Sequence, residues 1–354
     1  MMCKAIPSVV ATLCVLSFGG VARAASLKVV TTLPDYADIA QKIGGERVSA
    51  SYIVRGDQDA HFIRPKPSFA SMVRQAEVLI DTGLDLETWL PTVVDTSGNR
   101  NVRSGHPGYV SASHGMRLLE KSDQLSRAEG GLHIYGNPHV TCSPVLMKVA
   151  ARNIAKGLIK NDPEGTAIYQ KNLEAFEAEI DRRLFGEALV KILGGDRLCA
   201  LAEDGKLIPF LQKEQYKGRS LIDSLGGWMG RMRPLYGVPI VTYHKNWVYL
   251  FKLFGLQEAG TVEPKPGIPP SARHVADLIT SMRDRRIRII FAANYFSKRE
   301  VSDISDRVHA EPVMVPMYVG GVPGVQDYFQ LVDCWVNGLV SAGRKTGLIQ
   351  QEKD

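Results

Sequence analysis

Three histidines stand in one kind of local setting. His61 in Asp59-Ala60-His61, His139 in Asn137-Pro138-His139 and His244 in Thr242-Tyr243-His244 each follow an extended run and precede a helical or proline-rich stretch. Imidazole nitrogen is the commonest protein donor to zinc, and three rings from separate loops can make a cation site with no local motif. Spacing alone does not select that chemistry, because a histidine taken singly is more often a core or surface residue. A hydrolytic metal centre would need a general base as well, and the sequence contains no H-E-x-x-H helix and no clear base beside these histidines.

The elements that must position these residues alternate. Leu27 to Thr32 reads as a strand, Pro34 to Ile43 as a helix stopped by Gly44-Gly45, Val48 to Val54 as a strand, Phe69 to Gln75 as a helix and Glu77 to Asp81 as a strand. After Gly194-Gly195 the pattern returns, with strands at Pro239 to Tyr243, Ile287 to Ala292 and Val313 to Tyr318. Helices there cover Trp247 to Phe254, Ser271 to Arg283, Ser297 to Val308 and Gln326 to Ser341. Such alternation predicts an α/β fold of two lobes, each a mostly parallel sheet flanked by helices. Ligands of open α/β sheets gather at the carboxyl ends of strands, where the three histidines fall. Between the lobes, Ser97 to Asn137 is loop-rich with a short strand at Tyr109 to Ser113, and a helix follows Pro144. Leu173, Phe176, Ile180 and Leu184 then mark one long joining helix that starts with Asp162 as cap and Pro163 in its first turn. At 1.5 Å per residue, a helix running to Ile192 would be about 40 Å long. The expected boundaries are a leader at 1–24, a first lobe at 25–163, a linking helix at 164–193 and a second lobe at 194–354, with 201–236 read as an insertion.

Composition narrows the function classes. The chain has 354 residues, 45% hydrophobic and 23% charged, which excludes collagen-like, coiled-coil and wholly disordered proteins. Its net charge of +6 includes Lys4 and Arg23 of the leader, and what remains is too weak to argue for nucleic-acid binding. Lys4, the apolar run Val9 to Phe18 and Ala22-Arg23-Ala24 form a secretory signal pattern too short to span a bilayer, which places the expected mature protein in the periplasm. Cys142, Cys199 and Cys334 permit one bridge at most, show no C-x-x-C spacing and read as buried free thiols.

From Leu27 onward the chain resembles the zinc- and manganese-binding solute-binding proteins of ABC metal-uptake systems. Asp59-Ala60-His61-Phe62-Ile63-Arg64-Pro65-Lys66-Pro67-Ser68 is similar to the family's D-P-H-x-Y-x-P-x-P-S turn. Gln75 to Ile80, Gly83-Leu84-Asp85-Leu86-Glu87-Thr88-Trp89 and Glu263 to Ser271 fall at the family's usual places. Asn137-Pro138-His139-Val140 is similar to its D-P-H-V turn, and His244-Lys245-Asn246-Trp247 to its H-D-A-F segment. The resemblance implies metal held in a cleft between lobes joined by one long helix, with His61 and His139 from the first lobe and His244 from the second. It also implies delivery to an ABC permease in the inner membrane by a monomeric protein that is not an enzyme, although an adhesin or metallochaperone on the same scaffold stays open. The family's late-turn carboxylate is missing from Met317 to Gly321, so the fourth ligand is water, Asp59 or Asp327, with Asp59 read first as a turn residue. Lys245 replaces the family's Asp and is expected to face solvent. His106, His114 and His133 make a thin version of the family's metal-collecting loop and read first as solvated loop residues, while His274 and His309 read as surface residues.

Three neutral imidazoles favour Zn²⁺ as cargo over Mn²⁺, which prefers oxygen-rich surroundings; copper and nickel also suit the donor type. Protons compete for the same nitrogens. Zinc affinity is therefore expected to fall between about pH 8 and pH 5, and calorimetric titration across that range checks it, a flat profile being incompatible with imidazole ligation.

Overall fold

A computed structural model describes residues 26–121, 135–265 and 267–350; the expected leader and His133 lie outside the described residues. β1 (Leu27–Thr31), α1 (Pro34–Gly44), β2 (Val48–Tyr52), α2 (Pro67–Arg74), β3 (Val78–Asp81), α3 (Leu90–Ser97) and β4 (Tyr109–Ser111) build the first unit. Its sheet has the order β2-β1-β3-β4 with every pairing parallel. Val29, Val78, Leu79 and Ile80 are fully buried, as strands covered on both faces require.

α4 (Pro144–Asn161) and α5 (Thr166–Phe185) follow, packed on each other, and both also lie against α1. The single joining helix expected over 164–193 is instead two: α5 stops at Gly186, and α6 (Glu187–Leu193) restarts beyond it. Gly186 has φ of 80°, and an added Cβ would stand 2.9 Å from Gly226 Cα, so the break is a place where two backbones meet. After α7 (Gly195–Glu203), whose last turn enters it, the stretch read as an insertion holds α8 (Leu207–Lys213), the β5–β6 hairpin (Gln215–Tyr216 and Arg219–Ser220) and α9 (Gly227–Met232).

The second unit contains β7 (Pro239–Thr242), α10 (Val248–Phe254), β8 (Gln257–Thr261), α11 (Ala272–Asp284), β9 (Ile289–Ala293), α12 (Lys298–Val308), β10 (Glu311–Val315) and α13 (Tyr328–Lys345). Its sheet, in the order β10-β9-β7-β8, is again wholly parallel. β8 has no counterpart in the sequence reading. Gln-Glu-Ala-Gly-Thr carries one β-branched residue and a glycine, and it forms an edge strand through its backbone.

α5 ties the units together. Lys148 of α4 is buried and places Nζ 2.7 Å from Asp181 Oδ1 on α5, while Arg183 on α5 and Trp228 on α9 both reach Asp333 of α13, at 2.9 and 2.8 Å. One continuous apolar cluster joins Leu27 and Val30 of the first sheet to Ile289 and Phe291 of the second, with Tyr169, Phe176 and Ile180 of α5 within it. Across the boundary Tyr328 N–H donates to Asp38 Oδ2 (3.0 Å) and Tyr328 Oη to the Thr141 carbonyl (2.7 Å). The backbone of Gly56 lies against Val319 to Gly321, where an added Cβ would meet Val319 O at 2.3 Å. Among the described residues no helix is long and apolar enough to cross a membrane, and Cys142, Cys199 and Cys334 are free thiols.

Asp35, in the first turn of α1, is wholly buried close to this boundary. Burial pushes its pKa up to about 8, and neither of its carboxylate oxygens has a hydrogen-bond donor among the described residues. The folded chain thus keeps a proton that the unfolded chain releases near pH ~3.9, so stability falls as pH rises through that window, by up to about 1.4 kcal/mol per unit. Asp35→Asn removes this slope. Calorimetry is expected to show its Tm advantage over the parent widening from about pH 5 to pH 8, and a pH-independent difference would contradict the assignment.

Candidate metal centre

His61 belongs to a short 3-10 turn, Ala60–Phe62, in the connection that leaves β2. Asp59 caps that turn: its Oδ1 accepts from His61 N–H at 3.0 Å and from His61 Nδ1 at 2.8 Å. The expected turn role of Asp59 is therefore present, and the same oxygen also orients the ring. His139 repeats the backbone half of this device, its N–H donating to Asn137 Oδ1 at 3.0 Å at the start of the turn Val140–Cys142 that leads into α4. His244 follows β7, and its Nδ1 lies 2.9 Å from Glu263 Oε2, which stands just past the end of β8. Two rings thus have a carboxylate at Nδ1, which leaves Nε2 as the donor nitrogen.

The structure brings the three rings together. Ring centroids are separated by 5.1 Å for His61 and His139, 5.9 Å for His139 and His244, and 6.1 Å for His61 and His244. Interplanar angles of 61°, 87° and 84° exclude a stack. Three imidazoles at tetrahedral positions on zinc, with Zn–N of about 2.0–2.1 Å, would hold their centroids about 5.2 Å apart. The trio is open by less than about 1 Å relative to that figure; among the described residues, no group of three His, Cys, Asp or Glu side chains already stands at ligating geometry. His139 is 2% exposed and His244 7%, so the rings are screened from bulk water.

The surrounding charges are committed. Burial disfavours the Asp59 carboxylate, but the hydrogen bond and field of His61, the His61 N–H and the field of His244 outweigh it and hold the group below the usual carboxylate range. Asp327 caps α13 by accepting from Gln330 N–H at 2.8 Å and lies 3.6 Å from Lys42 Nζ, which gives this fourth-ligand candidate another task. The stretch Met317 to Gly321 supplies the Tyr318 hydroxyl, buried and without a hydrogen-bond partner among the described residues. Burial pushes this phenol and that of Tyr295 upward, and both feel the Asp59 charge. The Lys245 side chain is 58% exposed and ends 3.3 Å from Glu120 Oε1, so its charge faces a carboxylate at the surface.

The remaining described histidines stay apart from this centre. His106, His114 and His309 are exposed, and His274 Nε2 lies 2.9 Å from the Thr261 carbonyl. Glu263 is the functional side chain that the sequence reading did not single out. Its signal was an acid ahead of a proline-rich turn, with no strand recognised before it. Glu263→Ala is expected to lower zinc affinity about 10–100-fold with the fold retained, as competition against a chelator would measure; unchanged affinity would remove its role as an orienting group.

Comparison with known proteins agrees with this architecture. Residues 29–183 and 228–342 match the family model described as zinc-uptake complex component A, periplasmic; the gap between the two matches includes α6, α7, α8 and the hairpin. The chain is 23% identical over 289 residues to the high-affinity zinc uptake system protein ZnuA of Bacillus subtilis, covering 80% of this chain and 75% of that protein. It is 24% identical to the iron-binding protein YfeA of Yersinia pestis, covering 89% and 85%. To the manganese ABC transporter substrate-binding lipoprotein PsaA of Streptococcus pneumoniae it is 30% identical, covering 51% and 59%. A crystal structure of ZnuA superposes with a TM-score of 0.66 at 21% identity over 90% of this chain and 99% of that one. The periplasmic zinc-binding protein TroA of Treponema pallidum gives 0.62 at 18% identity over 90% and 99%. With two parallel four-stranded sheets and a family match over more than half its length, the chain belongs to the periplasmic zinc-uptake component A family of metal-binding substrate-binding proteins.

Proposed function

We propose that the protein captures a divalent transition-metal ion outside the cytoplasm, on His61, His139 and His244, and delivers it to an ABC permease. The observation that carries this reading is the meeting of three rings from three separate connections, after β2, before α4 and after β7, with all centroid separations at or below 6.1 Å and carboxylates beside Nδ1 of two of them. Zn²⁺ is the favoured cargo because the donors are nitrogens; relatives are named for zinc, manganese and iron, so the argument for zinc rests on donor chemistry. Water completes the coordination, since the nearest carboxylates are engaged with imidazoles. That engagement also leaves neither Asp59 nor Glu263 free as the general base of a hydrolase. A core shared by both sheets favours release through a modest loosening of the trio over wide hinge opening.

Titration of metal-free protein with Zn²⁺ is expected to show one tight site. His61→Ala, His139→Ala and His244→Ala should each weaken it by on the order of 100-fold, and Mn²⁺ should bind the parent more weakly than Zn²⁺. Three variants that bind zinc as the parent does would overturn the assignment.

A further inference from the structure

The central strands of the first sheet end beside two carboxyl groups that are held away from water. Asp81 is 9% exposed and Glu87 4%. Glu87 Oε1 is well supplied with donors, accepting from Thr32 Oγ1 at 2.7 Å, Thr82 Oγ1 at 2.7 Å and Thr82 N–H at 3.2 Å. Asp81 Oδ2 accepts from Tyr109 Oη at 3.1 Å. The other oxygen of each group, Asp81 Oδ1 and Glu87 Oε2, is buried with no hydrogen-bond donor among the described residues. The two carboxyls line one cavity, and two carboxylates buried within reach of each other's charge are not both stable as anions.

The pair is mechanically connected to His61. Glu87 closes the short turn Asp85–Glu87, which packs on the turn Ala60–Phe62. Two residues beyond it, Trp89 Nε1 donates to the Ala60 carbonyl at 2.8 Å, immediately before His61. The threonine bonds of Glu87 fix its turn to the ends of β1 and β3, and Trp89 passes that fixed position to the turn that carries the ring.

We propose that Asp81 and Glu87 share one proton and act as a positioning clamp for His61. Only the last link, to the imidazole, rests on the metal-binding reading. Burial first, and the Glu87 charge second, push the Asp81 carboxyl well above its ordinary range, whereas the threonine bonds partly offset the burial of Glu87. Three donors on Glu87 against one on Asp81 favour Glu87 as the anion of the pair, so the shared proton resides mainly on Asp81. Other groups facing the pair do not supply a counter-ion. Tyr36 of α1 and Tyr109 of β4 are phenols, and Asp35 lies beyond Tyr36. Asp85, Asp95 and Arg103 line a cavity of about 420 Å³ together with the pair, and Arg103 is bonded to Asp95 at 3.1 Å.

A raised carboxyl pKa in the folded state means that the folded chain binds a proton which the unfolded chain lacks, so the pair weakens the fold as pH rises above the ordinary carboxylate range. Asp81→Asn keeps a neutral donor opposite Glu87, whereas Asp81→Ala removes it. Infrared spectroscopy of metal-free Asp35→Asn protein, which lacks the other buried protonated carboxyl, is expected to show at neutral pH a protonated-carboxyl C=O band that adding Asp81→Asn abolishes. Between about pH 5 and pH 8 the unfolding constant of the parent should rise by up to about tenfold per pH unit relative to Asp81→Asn. Zinc affinity should stay within about threefold of the parent in Asp81→Asn and fall at least about tenfold in Asp81→Ala, because the neutral amide rescues the clamp. Persistence of the band, or an identical pH slope in Asp81→Asn, overturns the shared proton; parent-like affinity in Asp81→Ala overturns the positioning role. His244→Ala, on the opposite lobe, separates the two readings: unchanged zinc binding there refutes the metal site alone, and the infrared band and stability slope still decide the proton. Binding of Mn²⁺ or Ca²⁺ to the His61→Ala/His139→Ala/His244→Ala protein that Asp81→Asn abolishes would replace the proton with an oxygen-ligated cation and overturn the proposal.

Discussion

Imidazoles borne by two separate sheets keep their mutual distances only while those sheets hold still, and the shared apolar core is what holds them. A cluster that runs through β1, α5 and β9 offers no layer of water along which the lobes could slide. Close-packed protein interiors pass displacement on instead of absorbing it. The polar contacts at the boundary, from Tyr328 to Asp38 and to Thr141, then fix the register that apolar packing leaves loose. Position of the rings is therefore a property of the whole molecule, with the turns supplying the last ångström.

Those turns follow a common design. A side-chain oxygen two residues ahead of the histidine accepts its backbone N–H, as Asp59 does for His61 and Asn137 for His139. The carboxylate in the first case also takes the ring N–H, and the amide in the second makes its own bond across the boundary, from Asn137 Nδ2 to the Lys245 carbonyl at 2.8 Å. Exchange of Asp for Asn at this place thus moves a side chain from orienting an imidazole to fastening one lobe to the other. Next to His244, Lys245 contributes its carbonyl to that fastening and its ammonium to Glu120, so a cation beside the centre is put to structural use.

Much of the fold was legible because β-branched runs and 3.6-residue periodicity are produced by burial, and burial is what alternating α/β layers impose. β1, α1, β2, β3, β7 and β9 follow that pattern. What escaped was held by backbone alone: β8 is polar and pairs at an edge, and the break between α5 and α6 depends on a glycine contact made 40 positions away along the chain. The histidines were visible as residues in matching contexts, but their convergence depends on connections of unequal length, which local spacing does not encode. Glu263 was hidden for the same reason as the strand before it.

Gly56 and Gly321 leave a different kind of mark. Their backbones approach so closely that a single methyl group at position 56 would strike the Val319 carbonyl, and one at 321 the Gly56 carbonyl, at 2.3 and 2.4 Å. The approach of the two units at this contact is thus set by two missing carbon atoms. The smallest possible side chain at either position would act as a spacer and push these two backbones apart.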